Sequence, residues 1–371
     1  MTPFQKHGGN LTELARHVTL PPTVHDFSVN THPFGPPQPA LAAARAALAH
    51  SDRYPDPEPT ALLAALAAHH ALPADHFVAG NGATELIDLI PRALGAGTSL
   101  VVAPAFGEYA DATARAGGRT VTVRRERLDA FPTGPVVDAI ARHQPGLVWL
   151  CSPNNPTGER LADPALEAIL GAPGGHVVVL DESFVEYDPL GSRIGRVPAH
   201  PNLIVLRGFT KFFALAGLRV GYLAAAPALI GRLCALLPPW RVNRPAQAAA
   251  VACLGLDGYV PRERARVDAL KRGFMRELTA MGLGPLPSQA NYLLCRLPDG
   301  CDPDRLFVDL ARSGFLVRHC RSFGLPGHLR LRVHREAENR ALLDILPGAI
   351  RRGTARTARA GEAPDGPIGA P

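Results

Sequence analysis

The middle of the chain alternates short β-rich segments with helix-like segments, and this alternation restricts the fold more than any other feature. The apolar, β-rich runs are Ser99–Val102, Arg119–Val123, Leu147–Cys151, His176–Leu180, Asn202–Leu206 and Val220–Leu223. Helix-like stretches such as Thr84–Leu94 and Pro164–Leu170 lie between several of them. Continuous apolar strands joined by helices are typical of a mostly parallel sheet that is covered on both faces. The pattern therefore predicts an α/β fold whose ligands bind at the carboxyl ends of the strands.

The chain has 371 residues, which is long enough for two domains. From about Arg262 a long helix is followed by mixed strands and helices, which predicts a smaller α+β domain over residues 262–350. Residues 36–261 would form the larger domain, and the Pro- and His-rich residues 1–35 an arm packed on the smaller one. Residues 351–371 are rich in Gly, Ala, Pro and Arg and lack apolar periodicity, so we expect a disordered tail.

Cysteine spacing, charge and hydropathy argue against several classes of protein. None of the six cysteines forms a CxxC pair, so we expect reduced thiols, no disulfides and no metal site. The net charge of +6 comes without a basic run interleaved with aromatics, which argues against nucleic-acid binding. We find no run near 18 apolar residues and no signal-peptide pattern. We therefore expect a cytoplasmic protein that does not bind a membrane.

Lys211 follows an apolar strand in the segment GFTKFFALAGLRVGYL and has apolar neighbours. Desolvation lowers the pKa of an amine and so favours imine formation. Arg219, eight residues later, is a second cation that could bind a phosphate group. A lone lysine in a loop is usually a solvated surface charge, so the interpretation depends on both cations together.

Two polar residues follow neighbouring predicted strands. Asn155 lies in SPNNPTG directly after one strand, where a simple Asn-Pro turn is the plainer explanation. Asp181 ends the run HVVVLD, where a buried carboxylate needs a partner. A pyridinium N–H would be such a partner, although a helix cap or a salt bridge would also explain a lone Asp.

A glycine-containing turn, Gly80–Glu85 (GNGATE), precedes an apolar helix. Its glycines permit close backbone approach, and the helix N-terminus favours a phosphate. Such a turn is weak evidence alone. The four segments gain their specificity from occurring together and in this order.

Together the four segments resemble the fold-type I pyridoxal-5′-phosphate (PLP) enzymes, the aspartate-aminotransferase superfamily, over nearly the whole chain. The resemblance implies a mostly parallel seven-stranded sheet, PLP as the cofactor, and a homodimer with shared active sites. It implies that Lys211 and Asp181 are catalytic, since Lys211 would hold PLP as an imine and Asp181 would pair with its pyridine nitrogen. The further cofactor positions it implies are Gly82, Ala83, Thr210 and Arg219 for the phosphate, Phe106 for stacking on the ring, Asn155 for the 3′-oxygen, and Tyr54 for the phosphate of the neighbouring subunit.

The match within the superfamily is closest to the histidinol-phosphate-aminotransferase-like branch, with one departure. That branch usually has a tyrosine three residues after the Asp, and here Phe184 occupies the position. The N-terminal segments HGGN, DFSVN and PFGPP, however, resemble the L-threonine-O-3-phosphate decarboxylases, which also carry Phe there. This resemblance implies decarboxylation of L-threonine O-3-phosphate to (R)-1-amino-2-propanol O-2-phosphate in cobalamin biosynthesis.

The same resemblance implies where the phosphorylated amino acid binds. The implied substrate positions are His7, Gly8, Gly9, Asn30, Asn155, Arg318 and Arg330. Arg330 would bind the substrate α-carboxylate and Arg318 its phosphate. His32 departs from the pattern of the family, and would either supply an additional donor near the substrate or be exposed.

Three alternatives stay open. An aminotransferase acting on histidinol phosphate or another amino acid would use the same residues, because the pose of the substrate selects the reaction. A protein of this fold that regulates or scaffolds without catalysis is disfavoured by the presence of Lys211. A dehydrogenase would need G-x-G-x-x-G, and Gly80–Glu85 lacks the third glycine.

Overall fold

A computed structural model of the chain describes residues 8–95 and 97–360. The strands are β1 (His25–Asp26), β2 (Phe77–Gly80), β3 (Thr98–Ala103), β4 (Arg119–Arg124), β5 (Leu147–Cys151), β6 (Val177–Asp181), β7 (Leu203–Gly208), β8 (Gly221–Ala224), β9 (Tyr292–Arg296), β10 (Phe315–Leu316), β11 (Arg318–His319) and β12 (His328–Arg332). The helices are α1 (Leu11–Leu14), α2 (Gln38–Leu48), α3 (Thr60–His70), α4 (Ala83–Leu94), α5 (Glu108–Arg115), α6 (Thr133–His143), α7 (Asp163–Leu170), α8 (Pro227–Cys234), α9 (Arg244–Leu254), α10 (Tyr259–Ala280), α11 (Pro303–Arg312) and α12 (Glu336–Ala360).

The largest sheet has seven strands in the order β2-β8-β7-β6-β5-β3-β4. Strand β8 runs antiparallel to both of its neighbours, and the other pairings are parallel. The central strands β5, β6 and β7 are buried along almost their whole length, because both faces of the sheet are covered. This confirms the mostly parallel seven-stranded sheet expected from the sequence. The short strand β2, at one edge, was not among the strands that the apolar runs predicted.

The described residues form two compact units, each of which is considered by itself. The larger unit contains Thr31–Asp268 and Pro287–Asn291, and therefore the whole seven-stranded sheet. The smaller unit contains residues 8–30, Ala269–Leu286 and 292–360. The sequence predicted domain boundaries after residues 35 and 261. In the structure, residues 31–35 belong to the larger unit, and helix α10 is divided between the two units after Asp268.

The smaller unit contains two small sheets. One has three antiparallel strands in the order β11-β12-β9, and the other pairs β1 with β10 in parallel. The pairing places His25 opposite Phe315 and so joins the N-terminal residues to this unit. No described helix, within residues 8–95 and 97–360, has both the length and the apolar content that a membrane span would require.

The last helix is longer than the sequence pattern indicated. We expected a disordered tail from Arg351, but α12 continues through that residue to Ala360. Alanine and arginine are good helix formers, and the segment RRGTARTARA is rich in both, so intrinsic propensity can extend a helix that lacks an apolar stripe. Residues 361–371 lie outside the described residues.

Candidate active site

A cavity of about 160 Å³ lies in the larger unit where strands β5, β6 and β7 end. Its lining residues are Ala83, Thr84, Ile87, Phe106, Tyr109, Cys151, Asn155, Asp181, Ser183, Phe184, Gly208, Thr210, Lys211 and Arg219. Cys151 and Asp181 are the last residues of β5 and β6, and Gly208 is the last residue of β7. The cavity thus occupies the carboxyl edge of the sheet, where ligands of parallel sheets bind. It brings together most of the cofactor positions that the sequence predicted.

Asp181 supplies the anionic group of the cavity. The Tyr109 hydroxyl donates a hydrogen bond to Asp181 Oδ2 at 2.6 Å, and the Ser183 backbone N–H donates to Oδ1 at 2.9 Å. Asp181 is buried, and a buried carboxylate needs such donors to stay charged. Burial, and then the nearby Asp181 charge, raise the pKa of Tyr109 well above its usual value, so its hydroxyl keeps the proton it donates. The carboxylate is therefore held in one orientation.

Lys211 lies in the loop that follows β7 and supplies the amine of the cavity. Its Nζ lies 6.0 Å from the centre of the Phe184 ring. The Lys211 backbone carbonyl accepts a hydrogen bond at 2.8 Å from the backbone N–H of His32. His32 is 1% exposed and its ring packs on Phe212, which excludes the exposed position that the sequence had left open.

The first turn of helix α4 and Arg219 form the cationic corner of the cavity. Gly82 caps this helix with a φ of +83°, and a Cβ added there would lie 2.4 Å from Arg219 Nη2. Arg219 itself has a φ of +58° and donates from Nη1 to the Ala216 carbonyl at 3.0 Å. A residue with a side chain would be strained at this φ, and its Cβ would displace the guanidinium. A helix N-terminus beside an arginine is a suitable site for a phosphate.

The four chemical groups around this cavity match the functional groups of PLP. A buried carboxylate suits a pyridinium nitrogen, a lysine amine suits an aldehyde, an asparagine amide suits a ring oxygen, and the cationic corner suits a phosphate. Phe106 and the apolar Ile87 and Phe184 give the cavity walls that suit a flat ring. The residues present therefore fit this cofactor.

Tyr109 and Cys151 line the cavity but were not among the sequence-predicted site residues. The Tyr109 ring stacks on Trp149 with centroids 5.0 Å apart, which fixes its hydroxyl beneath Asp181. Tyr109 belongs to APAFGEY, three residues after the predicted ring-stacking Phe106, and this proximity in sequence was the available signal. Burial raises the pKa of the Cys151 thiol, which is therefore uncharged beside Asp181.

Tyr54 does not line the cavity. Its side chain is 78% exposed, and its ring lies 4.9 Å from that of Trp240. An exposed tyrosine is available for contact with another molecule, so the predicted contact with a neighbouring subunit stays a prediction.

Two predicted substrate residues of the smaller unit, Arg318 and Arg330, lie opposite each other on strands β11 and β12. Both guanidinium groups are buried, and Arg318 donates to Ser322 Oγ at 2.7 Å. Burial, and then repulsion from Arg330, lower the pKa of Arg318 to about 10, and burial also lowers that of Arg330. Two buried like charges on neighbouring strands form a cationic pair suited to anionic groups.

The arm segments that had suggested a substrate pocket make contacts within the smaller unit. The backbone N–H of Gly9 donates to Ser28 Oγ at 2.9 Å, and Ser28 Oγ donates to Asp26 Oδ1 at 2.6 Å. Arg330 Nη2 donates to the Ser28 carbonyl at 2.6 Å. A Cβ on Gly8 would lie 2.6 Å from that same carbonyl oxygen, so the glycine permits this close approach.

The last two predicted substrate residues, Asn30 and His7, belong to the N-terminal arm. Asn30 is buried in the same unit, 2% exposed. The prediction for His7 falls outside the described residues.

The chain is similar to known proteins both in sequence and in structure. Residues 22–346 match the family model described as "Aminotransferase class I and II". The chain is 36% identical over 355 residues to histidinol-phosphate aminotransferase 1 of Cupriavidus pinatubonensis, an alignment that covers 93% of each protein. The crystal structure of histidinol-phosphate aminotransferase from Sinorhizobium meliloti in complex with pyridoxal-5′-phosphate is similar with a TM-score of 0.81 and 27% identity, over 89% of this chain and 91% of that one.

The expected decarboxylase activity is contradicted by these relatives, whose names are those of aminotransferases. L-threonine-O-3-phosphate decarboxylase from Porphyromonas gingivalis is also similar, with a TM-score of 0.76 over 88% of this chain and all of that one. Its identity is 24%, so that likeness concerns the fold alone. The arm motifs misled the interpretation for a physical reason. Gly9, Ser28 and Asp26 hydrogen-bond to one another, so these residue types are accounted for by local structure without a substrate.

Proposed function

Because the chain belongs to the aminotransferase class I and II family, we propose that it is a PLP-dependent aminotransferase that transfers the amino group of histidinol phosphate to a 2-oxo acid. The observation that supports this most directly is the convergence of Lys211, Asp181 and Arg219 on one cavity at the carboxyl edge of the sheet. The substrate is proposed from the names of relatives that match over most of their length.

PLP is the cofactor, and when bound it supplies an electron sink for the bonds at the substrate carbon that bears the amine. Asp181, held by Tyr109 and Ser183, keeps the pyridine nitrogen protonated. Thr210, Arg219 and the backbone amides of Gly82 and Ala83 would bind the phosphate. Asn155 would donate to the 3′-oxygen, and Phe106 would pack on the ring.

Lys211 is the residue that we propose transfers the proton. Its Nζ would take the proton from the amine-bearing carbon of the substrate and hold it for return, whereas loss of a carboxylate needs no base at that carbon. Phe184, beside the amine, contributes no hydroxyl, so Lys211 and Asn155 provide the polar groups at this side of the cavity.

The paired arginines of the smaller unit suit both substrates of such a reaction. Histidinol phosphate carries a phosphate, and a 2-oxo acid carries a carboxylate next to its reacting carbon. We propose that Arg318 binds the phosphate and Arg330 the carboxylate, because a planar guanidinium binds either group through two hydrogen bonds. We also propose that the enzyme is a homodimer in which Tyr54 contacts the phosphate bound by the other subunit.

The experiment is a product analysis with purified, PLP-loaded protein. Histidinol phosphate and 2-oxoglutarate together should yield glutamate, and neither should do so alone. Lys211→Ala should abolish glutamate formation and the absorbance band of the lysine–cofactor link. The proposal would be overturned by no glutamate from histidinol phosphate, or by CO₂ release from L-threonine O-3-phosphate without any oxo acid.

A further inference from the structure

A short turn, Arg321–Phe323, follows strand β11 in the smaller unit and contacts the guanidinium of Arg318. Arg318 Nη2 donates to Ser322 Oγ at 2.7 Å, and Arg318 Cζ lies 5.3 Å from the centre of the Phe323 ring. A hydroxyl acceptor and an aromatic ring together restrict the orientation of a planar guanidinium. The turn therefore supports Arg318, the residue proposed above to bind the substrate phosphate.

The turn is itself anchored by His319 and by Asp304 of helix α11. The Arg321 backbone N–H donates to His319 Nδ1 at 3.1 Å, and the Arg321 guanidinium donates to Asp304 Oδ2. His319 Nε2 lies 2.9 Å from Asp304 Oδ1. An imidazole nitrogen that accepts a hydrogen bond carries no proton, so the neutral ring has its proton on Nε2, facing the carboxylate. His319 thus links α11 to the turn.

The surroundings of His319 keep its ring neutral and fixed. The ring is buried and lies edge-on against Phe307 of α11, with centroids 6.1 Å apart. Burial is the largest effect on the pKa of His319 and lowers it, so the ring carries no charge at neutral pH. Nδ1 is therefore available as an acceptor for the turn.

We propose that Ser322 and His319 are positioning residues that set the preference of the enzyme for a phosphorylated substrate. Ser322 orients the Arg318 guanidinium for a phosphate monoester, and His319 fixes the turn that carries Ser322. This inference rests on the proposed role of Arg318 in binding phosphate. Arg318 and Arg330 are buried cations that repel each other, and a neutral acceptor holds Arg318 without cancelling the charge that attracts a phosphate.

The test is isothermal titration of methyl phosphate into the full-length, PLP-loaded protein. Methyl phosphate is a phosphate monoester without an amine, so it cannot react with the cofactor. We expect saturable binding to the wild type, and binding about fivefold weaker or more in Ser322→Ala, which lacks the acceptor for Arg318. The matched control is Ser313→Ala, since Ser313 is also exposed but donates to the Asp309 carbonyl. The control should stay within about twofold of the wild type.

Two substitutions of His319 separate its acceptor from its ring. His319→Phe keeps the aromatic packing and loses the acceptor, whereas His319→Asn keeps an acceptor oxygen near the position of Nδ1 and loses the ring. We expect methyl phosphate binding to weaken about fivefold or more in His319→Phe and to stay within about twofold of the wild type in His319→Asn. The reverse order would mean that the ring serves packing alone and would overturn the role given to His319.

Steady-state kinetics with histidinol phosphate and 2-oxoglutarate provide a second readout. Ser322→Ala should raise the KM for histidinol phosphate about fivefold or more, with a much smaller change in kcat and in the KM for 2-oxoglutarate. Absence of methyl phosphate binding to the wild type, or equal binding in Ser322→Ala, would overturn the inference. If methyl phosphate binds as expected but histidinol phosphate is not turned over, the inference stands and the proposed reaction is wrong.

Discussion

At the scale of single residues, the contact between Tyr109 and Asp181 gives the most direct test of the cavity's electrostatics. The hydroxyl is the donor to Asp181 Oδ2, and both groups are buried. We expect Tyr109→Phe to bind PLP about tenfold more weakly, because the carboxylate loses a charged hydrogen bond worth roughly 1.5–3 kcal/mol. The measurement is a titration of the cofactor-free protein with PLP, in which the quenching of tryptophan fluorescence reports binding.

The control for this substitution is Tyr259→Phe, because Tyr259 lies in α10 and does not line the cofactor cavity. It should leave the dissociation constant of PLP within about twofold. Equal affinities in the wild type and in Tyr109→Phe would mean that the Tyr109 hydroxyl does not contribute to PLP binding.

At the scale of elements, the start of helix α4 is the proposed binding site of the cofactor phosphate. Gly82 has a φ of +83°, and its missing Cβ leaves room for Arg219 Nη2. We expect Gly82→Ala to displace that guanidinium, to weaken PLP binding by at least tenfold, and to destabilise the fold by about 1–3 kcal/mol through backbone strain. Urea unfolding of the cofactor-free variant measures the strain separately from binding.

The matched control is Gly134→Ala at the start of helix α6, where an added Cβ meets nothing within 4 Å. That change should leave stability unchanged or raise it slightly, because alanine favours a helix. If both alanine variants bind PLP like the wild type, the phosphate does not lie at the start of α4.

At the scale of the whole molecule, buried histidines make stability depend on pH. Burial lowers the pKa of His70 to about 3 and that of His334 to about 4. An unfolded histidine titrates near pH 6.5, so below that value the unfolded chain binds protons that the folded chain does not. Stability rises with pH wherever the unfolded state binds more protons. We therefore expect the free energy of unfolding to fall as the pH decreases from about 6.5 to about 4.

Urea unfolding at a series of pH values measures this dependence. His70→Gln should reduce the slope in that range, and His50→Gln, a change at an exposed position, should retain it. The same slope in His70→Gln and in the wild type would show that His70 does not contribute to the pH dependence.

Assembly is the second prediction at this scale, and it follows from the exposed position of Tyr54. If each site combines Lys211 of one subunit with Tyr54 of the other, mixing Lys211→Ala with Tyr54→Ala creates one intact site in each mixed dimer. Random pairing should then restore up to about a quarter of the wild-type activity. Subunit exchange must first be verified. If the mixture is then no more active than Tyr54→Ala alone, either both residues belong to the site of one subunit or Tyr54 does not belong to the active site.

Much of the cofactor cavity could be predicted from the sequence because its residues lie in short local segments. Asp181 ends a buried strand, Lys211 follows the next strand along the chain, and Gly82 precedes an apolar helix. In a parallel sheet the carboxyl ends of the strands lie at one edge, so Asp181 and Lys211 were expected there. Gly82 follows β2, a strand at the edge of the sheet that the apolar runs did not predict. The reaction could not be predicted in the same way, since aminotransferases and decarboxylases place the same groups around the same cofactor.

Local patterns in the sequence were sufficient to predict six strands of the large sheet and the cofactor, because apolar periodicity and short motifs act within a few residues of the chain. Which distant side chains meet became evident only from the folded chain. Tyr109 reaches Asp181 across 72 residues, and Arg330 reaches the carbonyl of Ser28 across 302. Arg207 likewise pairs with Glu186 across 21 residues, a contact that no motif in either segment indicates. Such contacts depend on strand order and register, which local patterns leave unspecified.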